Sequence, residues 1–119
     1  MASFCPTVED LCVSRGDSPV MRFSVTKRSD GSVIDISSGY SFVMTVDSSP
    51  SPENADNNAF QVTGTIYDGP NGIVQMQPST AQTDISPGVW FYDIEMTTPV
   101  PSVRTIFKGK FTVQQDISK

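Results

Sequence analysis

Val89-Trp90-Phe91-Tyr92-Asp93-Ile94-Glu95-Met96 is the stretch whose pattern decides the fold. Trp90, Tyr92, Ile94 and Met96 fall on one side and Phe91, Asp93 and Glu95 on the other, the two-residue period of a strand with one apolar face. A helix would split those four apolar residues between opposite sides, whereas a strand gathers them. The apolar side predicts core, with Trp90 at its centre. The other side carries an aromatic ring and two carboxylates outward.

Working outward, Pro87-Gly88 is a turn, and residues 79–86 before it predict a single helical turn. Residues 97–102 form a loop, and Val103 to Val113 a long last strand. Its inward set is Val103, Thr105, Phe107, Phe111 and Val113, with Gly109 on the same face, at a bulge or leaving room for a large neighbour such as Trp90. Toward the N-terminus, residues 20–27 alternate Met21, Phe23 and Val25 with Arg22, Ser24 and Thr26. The stretch Ser29-Asp30-Gly31-Ser32 then supplies hairpin chemistry, with Val33 to Ile36 as the return strand. Residues 40–46 put Tyr40, Phe42, Met44 and Val46 on one face. Residues 60–66 read as another strand, residues 67–72 as a turn, and Ile73 to Gln77 as its return with Val74 and Met76 inward. The expected core is therefore Phe23, Phe42, Met44, Trp90, Tyr92, Ile94, Phe107 and Phe111.

Short alternating segments spaced by Gly, Pro, Asn, Asp and Ser predict an all-β fold: a single immunoglobulin-like antiparallel sandwich of about seven or eight strands. At 119 residues the chain has the size of one domain. Residues 1–12 lack alternation and read as an N-terminal arm that lies on a neighbour in an assembly, with the sandwich over 13–119. Residues 47–59 are polar and long for a connection inside a compact domain, so Asp47, Glu53, Asn54, Asp56 and Asn57 are candidate contact residues.

Composition narrows the function. The chain has no histidine, which removes the commonest general base, imidazole-dependent triads and most zinc sites, so no catalytic residue and no enzymatic role is expected. Asp93 and Glu95, roughly 6 to 7 Å apart along a strand, read as a solvated face rather than an acid–base pair. Asp47, Glu53 and Asp56 are oxygen donors, but their spacing does not match a calcium loop, and neither metal nor cofactor is expected. Arg15-Gly16-Asp17 matches an integrin-recognised tripeptide, and followed by Ser18-Pro19 it reads as a turn.

The net charge of −5 and scattered lysines and arginines argue against nucleic acid as partner. No apolar run approaches the roughly 18 residues of a membrane span, so no membrane partner is expected. The first residues lack a secretory-signal pattern, which predicts synthesis in a cytoplasm. Cys5 and Cys12 would close only a small loop, and a reducing compartment favours free thiols. Both belong to the candidate contact surface, as do the outward aromatics Tyr67 and Phe91, which suit either a subunit contact or a sugar platform.

Read in order, Gly16-Asp17, Asp30-Gly31, Asp35-Ile36-Ser37-Ser38-Gly39, Gly72-Ile73, Pro87-Gly88, Tyr92-Asp93-Ile94-Glu95 and Gly109-Lys110-Phe111-Thr112-Val113 form a pattern. It resembles the small β-sandwich domain of tailed-bacteriophage baseplate upper proteins and long tail fibre proteins, the N-terminal adaptor type. The resemblance spans residues 15–113. It implies a non-enzymatic virion structural protein, a tail, baseplate or neck adaptor that joins other virion proteins, such as fibres. Such a protein would be made in the host cytoplasm and act as a homo-oligomer within the particle. The chain ends at Lys119 without the coiled coil or receptor-binding domain of the large family members, which favours a stand-alone connector; the cysteines lie outside the family pattern. The alternative from another class is a glycan-binding module that recognises host-surface polysaccharide.

Overall fold

In a computed structural model, which describes residues 6–27, 30–50, 58–115 and 117, the chain is a two-sheet β-sandwich. The strands are β1 (Thr7–Val8), β2 (Leu11–Ser14), β3 (Met21–Ser24), β4 (Ser41–Asp47) and β5 (Asn58–Thr63). They continue with β6 (Thr65–Asp68), β7 (Ile73–Met76), β8 (Gly88–Thr97) and β9 (Val103–Gln114), and the helical turn α1 (Thr80–Thr83) precedes β8. The larger sheet runs β1-β9-β8-β4-β5, with β2 also on β9; the smaller runs β3-β7-β6.

The alternation in β8 and β4 produces the core as expected. Phe42, Met44, Val46, Tyr92, Ile94, Met96, Phe111 and Val113 of the larger sheet are buried against Phe23, Val25, Val74 and Met76. The Phe23 ring meets Phe107 of the opposite sheet at 5.1 Å between centroids. Removing one fully buried side chain of this size from water stabilises the fold by about 1.5–3 kcal/mol, so the apolar stripe dictates which face of each strand turns inward. The helical turn opens with a capping box, Ser79 Oγ accepting from Gln82 N–H and the Gln82 side chain accepting from Ser79 N–H.

Trp90, expected at the centre of the core, is instead half-buried at its rim. Its indole N–H needs an acceptor and finds the Ser86 carbonyl at 2.9 Å, while the cross-strand neighbour Phe111 takes the interior. Phe107 is likewise half-buried. The inward set of the last strand also changes. Ile94 pairs with Phe107 and Glu95 with Thr105, so Ile106 is an extra residue in β9 that switches the faces beyond it. Thr105 consequently pairs with outward Glu95, and Val103 is exposed.

Residues 60–66 do not form one strand. The chain leaves β4 after Thr63 and joins β7 from Thr65, crossing between sheets at Gly64. A β-carbon at Gly64 would stand 2.9 Å from atoms of Phe42, Val74 and Met76, so only glycine fits where the chain crosses the core edge. Residues 33–36 make a single bridge, Thr26 to Val33, rather than a return strand, although Ile36 is fully buried.

The N-terminal segment differs most from expectation. β1 and β2 pair parallel with β9, the rest of the ladder pairs being antiparallel, so residues 7–14 belong to the sandwich. The boundary expected after residue 12 falls inside β2. Leu11 and Val13 supply apolar contacts that draw the segment onto the sheet.

Candidate functional site

The register of the larger sheet arranges its outer face as a grid. One row runs Asn58, Asp47, Phe91, Lys110 across β5, β4, β8 and β9. The next runs Gln61, Thr45, Asp93, Lys108 and Val8, ending on β1. Because strand side chains alternate, these two rows project outward together, and Asp47 and Asp93 are diagonal neighbours. They line a groove of ≈ 610 Å³, bounded by Pro6 and Val8 on the β1 side and by Ser49 and Pro50 beyond β4.

The wall on the β1 side depends on a kink between β1 and β2. Glu9 N–H donates to the Lys108 carbonyl at 2.9 Å, and the Asp10 carboxylate accepts from Lys110 N–H at 3.0 Å, where a strand carbonyl would otherwise serve. The Tyr92 hydroxyl donates to the Glu9 carbonyl at 2.6 Å. Burial pushes the Tyr92 phenol well above its ordinary value, reinforced by the Glu9 and Asp10 carboxylates, so it stays a donor. The kink rests on Gly109: a β-carbon there would lie 2.2 Å from the Glu9 carbonyl oxygen. Gly109 thus makes room for the N-terminal backbone, not for Trp90.

Inside the groove two carboxylates are incompletely satisfied. Asp47, expected on an exposed loop, closes β4 and is only 4% exposed. Its Oδ1 accepts from Ser49 N–H at 2.8 Å, fixing the turn out of the strand, whereas Oδ2 is buried with no hydrogen-bond partner. Asp93 Oδ1 is buried and unpartnered in the same way. Desolvation, with Glu95 adding like charge, holds the Asp93 carboxyl above the usual carboxylate range. Glu95 itself is exposed and does not line the groove, so the Asp93–Glu95 pair does not converge on one cavity.

The other expected contact residues divide. Phe91 is half-buried in the groove, flanked by Asp47 and Lys110. Tyr67 lies on the smaller sheet, exposed, with the Arg22 guanidinium 3.7 Å above its ring, so the two aromatics share no platform. Cys12 is an exposed free thiol on β2. Cys5, Glu53, Asn54, Asp56 and Asn57 lie outside the described residues. Among the described residues no cluster of three or more acidic or cysteine side chains could hold a metal. Arg15-Gly16-Asp17 forms a turn anchored by Arg15 Nε on Asp84 at 2.8 Å and by Thr83 Oγ1 donating to the Asp17 carbonyl.

Sequence pattern alone does not mark Lys108, Lys110, Asp10 and Val8 as residues of one groove. The Lys-Gly-Lys triplet around Gly109 carried the one usable signal, a glycine inside an otherwise regular strand. No protein-family model matches the chain, and a search of curated proteins finds no significant match.

Proposed function

We propose that the chain is a non-enzymatic structural protein of a bacteriophage virion, a tail, neck or baseplate adaptor that joins other virion proteins. The observation that carries this reading is where the ordered pattern falls. Gly16, Gly31, Gly39, Gly72 and Gly88 all have positive φ, and each is a glycine of the pattern that resembles phage adaptor domains. The pattern's turn elements are thus the points at which this sandwich needs glycine, in the same order along the chain. The strand order supports an immunoglobulin-like reading as well: β2-β9-β8-β4-β5 against β3-β7-β6 is the order of an immunoglobulin sandwich whose first strand has moved onto the last.

The described part of the N-terminal segment is held on its own β9, and among the described residues the sheet edges open to neighbours are β1 with β2 and β5 in the larger sheet and β3 and β6 in the smaller. Edge strands present unpaired backbone groups that a second chain can complete, which suits a protein working in a symmetric assembly.

The test is quantitative mass spectrometry of gradient-purified particles from the source. The protein should appear at a fixed ratio to the major capsid and tube proteins across independent preparations. Its absence from particles, or a ratio that drifts with washing, would overturn the reading.

A further inference from the structure

We propose that the groove over β4, β8 and β9 is a saccharide-binding site, in which ring hydroxyls donate hydrogen bonds to Asp47 and Asp93 and an apolar sugar face lies on Phe91. The proposal is independent of the virion reading and stands on the groove alone. Its first support is the pair of acceptors left over by the fold. Asp47 is more than nine-tenths buried, yet Oδ2 has no donor, and Asp93 Oδ1 is in the same condition. A buried acceptor without a partner costs stability, so two of them lining one cavity mark a place where donors arrive from outside.

The second support is what surrounds them. Phe91 stands across the ladder from Asp47, giving a flat apolar surface beside two acceptors, the combination that fits a ring with one hydrocarbon face and a rim of hydroxyls. The volume of ≈ 610 Å³ lies within the range typical of small-ligand sites and exceeds a single water's need many times over.

The third support selects among donors. A cationic ligand, such as an arginine side chain of a partner protein, would also find the carboxylates. It would then sit beside Lys108, directly across from Asp93, and Lys110, directly across from Phe91. Both ammonium groups repel it, whereas hydroxyl donors are neutral and gain additional donors from the same lysines. The unpartnered oxygens are covered by protein atoms, so a ligand reaches them by displacing a flexible neighbour. Lys108 and Lys110, exposed and long-stemmed, are the side chains able to move.

The experiment is an amide-resolved NMR titration of the full chain with glucose, galactose, N-acetylglucosamine and glucuronate, with an arginine-containing peptide as the competing probe. Saturable shifts at the amides of Phe91, Asp93, Lys108 and Lys110 with at least one sugar are expected. Affinity should fall roughly tenfold or more in Asp47→Asn and Asp93→Asn, which convert an acceptor to a donor at nearly constant shape, and remain unchanged in Tyr67→Ala on the opposite sheet. Because Asp93→Asn also removes a desolvated charge, it should stay folded, and its spectrum verifies this before titration. Three outcomes overturn the proposal: no saturable shift with any sugar, shifts with the peptide alone, or sugar binding that survives both groove variants.

Discussion

Three of the five Asp-x-Ser stretches in the sequence, Asp30-Gly31-Ser32, Asp35-Ile36-Ser37 and Asp47-Ser48-Ser49, have the aspartate gripping the serine two residues on, and comparing the first two with the third separates a turn from a site. In the connection between β3 and β4, Asp30 and Asp35 each accept from the backbone N–H and the hydroxyl of the serine two residues on. Those hydrogen bonds hold both carboxyls below the usual range. Asp47 grips Ser49 N–H in the same manner, but it does so at the end of β4 beneath the groove, and its second oxygen is stranded. The local motif sets the turn in all three places. What differs is the surrounding sheet, which leaves two carboxylates in water and seals the third beside Asp93.

The largest expected effect comes from removing the groove's wall. Gly109→Ala places a β-carbon against the Glu9 carbonyl, and neither backbone can yield without losing the Glu9–Lys108 and Asp10–Lys110 hydrogen bonds. A loss of about 2–4 kcal/mol in chemical denaturation is expected, with faster hydrogen exchange at the Glu9 and Lys110 amides and no change at Ser32 and Ser37. Stability equal to that of the parent would mean that β1 does not rest on β9 as described. A smaller change tests the same wall without steric cost. Tyr92→Phe deletes the hydroxyl that donates to the Glu9 carbonyl and should cost about 1–2 kcal/mol, since it also leaves that carbonyl unpaired. An unaltered denaturation midpoint would show that the kink holds itself.

The sandwich was legible in the sequence because β4, β7 and β8 obey the two-residue period, and burial of Phe42, Met44, Val74, Met76, Tyr92 and Ile94 follows from it. The departures occur where a non-local partner overrides the period. Ile106 enters as an extra residue and reverses the faces of the start of β9, a change no single-strand pattern announces. Residues 7–14 show no alternation because a parallel edge segment only partly covered by the core needs little. Trp90 sits at the rim rather than the centre because its indole N–H needs the Ser86 carbonyl there, which side-chain size alone does not announce. Of the site, Phe91 and Asp47 were visible as an outward aromatic and a polar loop residue. The burial of Asp47, and its meeting with Asp93, Lys108 and Lys110, depend on the register of three strands distant in sequence.

The smallest effects extend the opening comparison to Asp93, the groove neighbour of Asp47, because Asp35 and Asp93 should respond with opposite signs. Asp35 has a lowered folded-state value, so it contributes stability above the unfolded carboxylate value, and that contribution disappears as pH falls through the folded value. Asp35→Ala should therefore melt below the parent at neutral pH and converge with it in acid. Asp93 has a raised folded-state value, so its contribution is favourable only in acid and is lost as pH rises through the folded value. Asp93→Asn should melt above the parent at neutral pH, by no more than about 1 kcal/mol given its partial solvent screening, and the advantage should shrink on acidification. Thermal melts of the parent and both variants at neutral and acidic pH decide the matter. If both variants shift the same way at neutral pH, Asp93 is as well satisfied as the turn carboxylates, and the groove loses one of the two leftover acceptors on which its assignment rests.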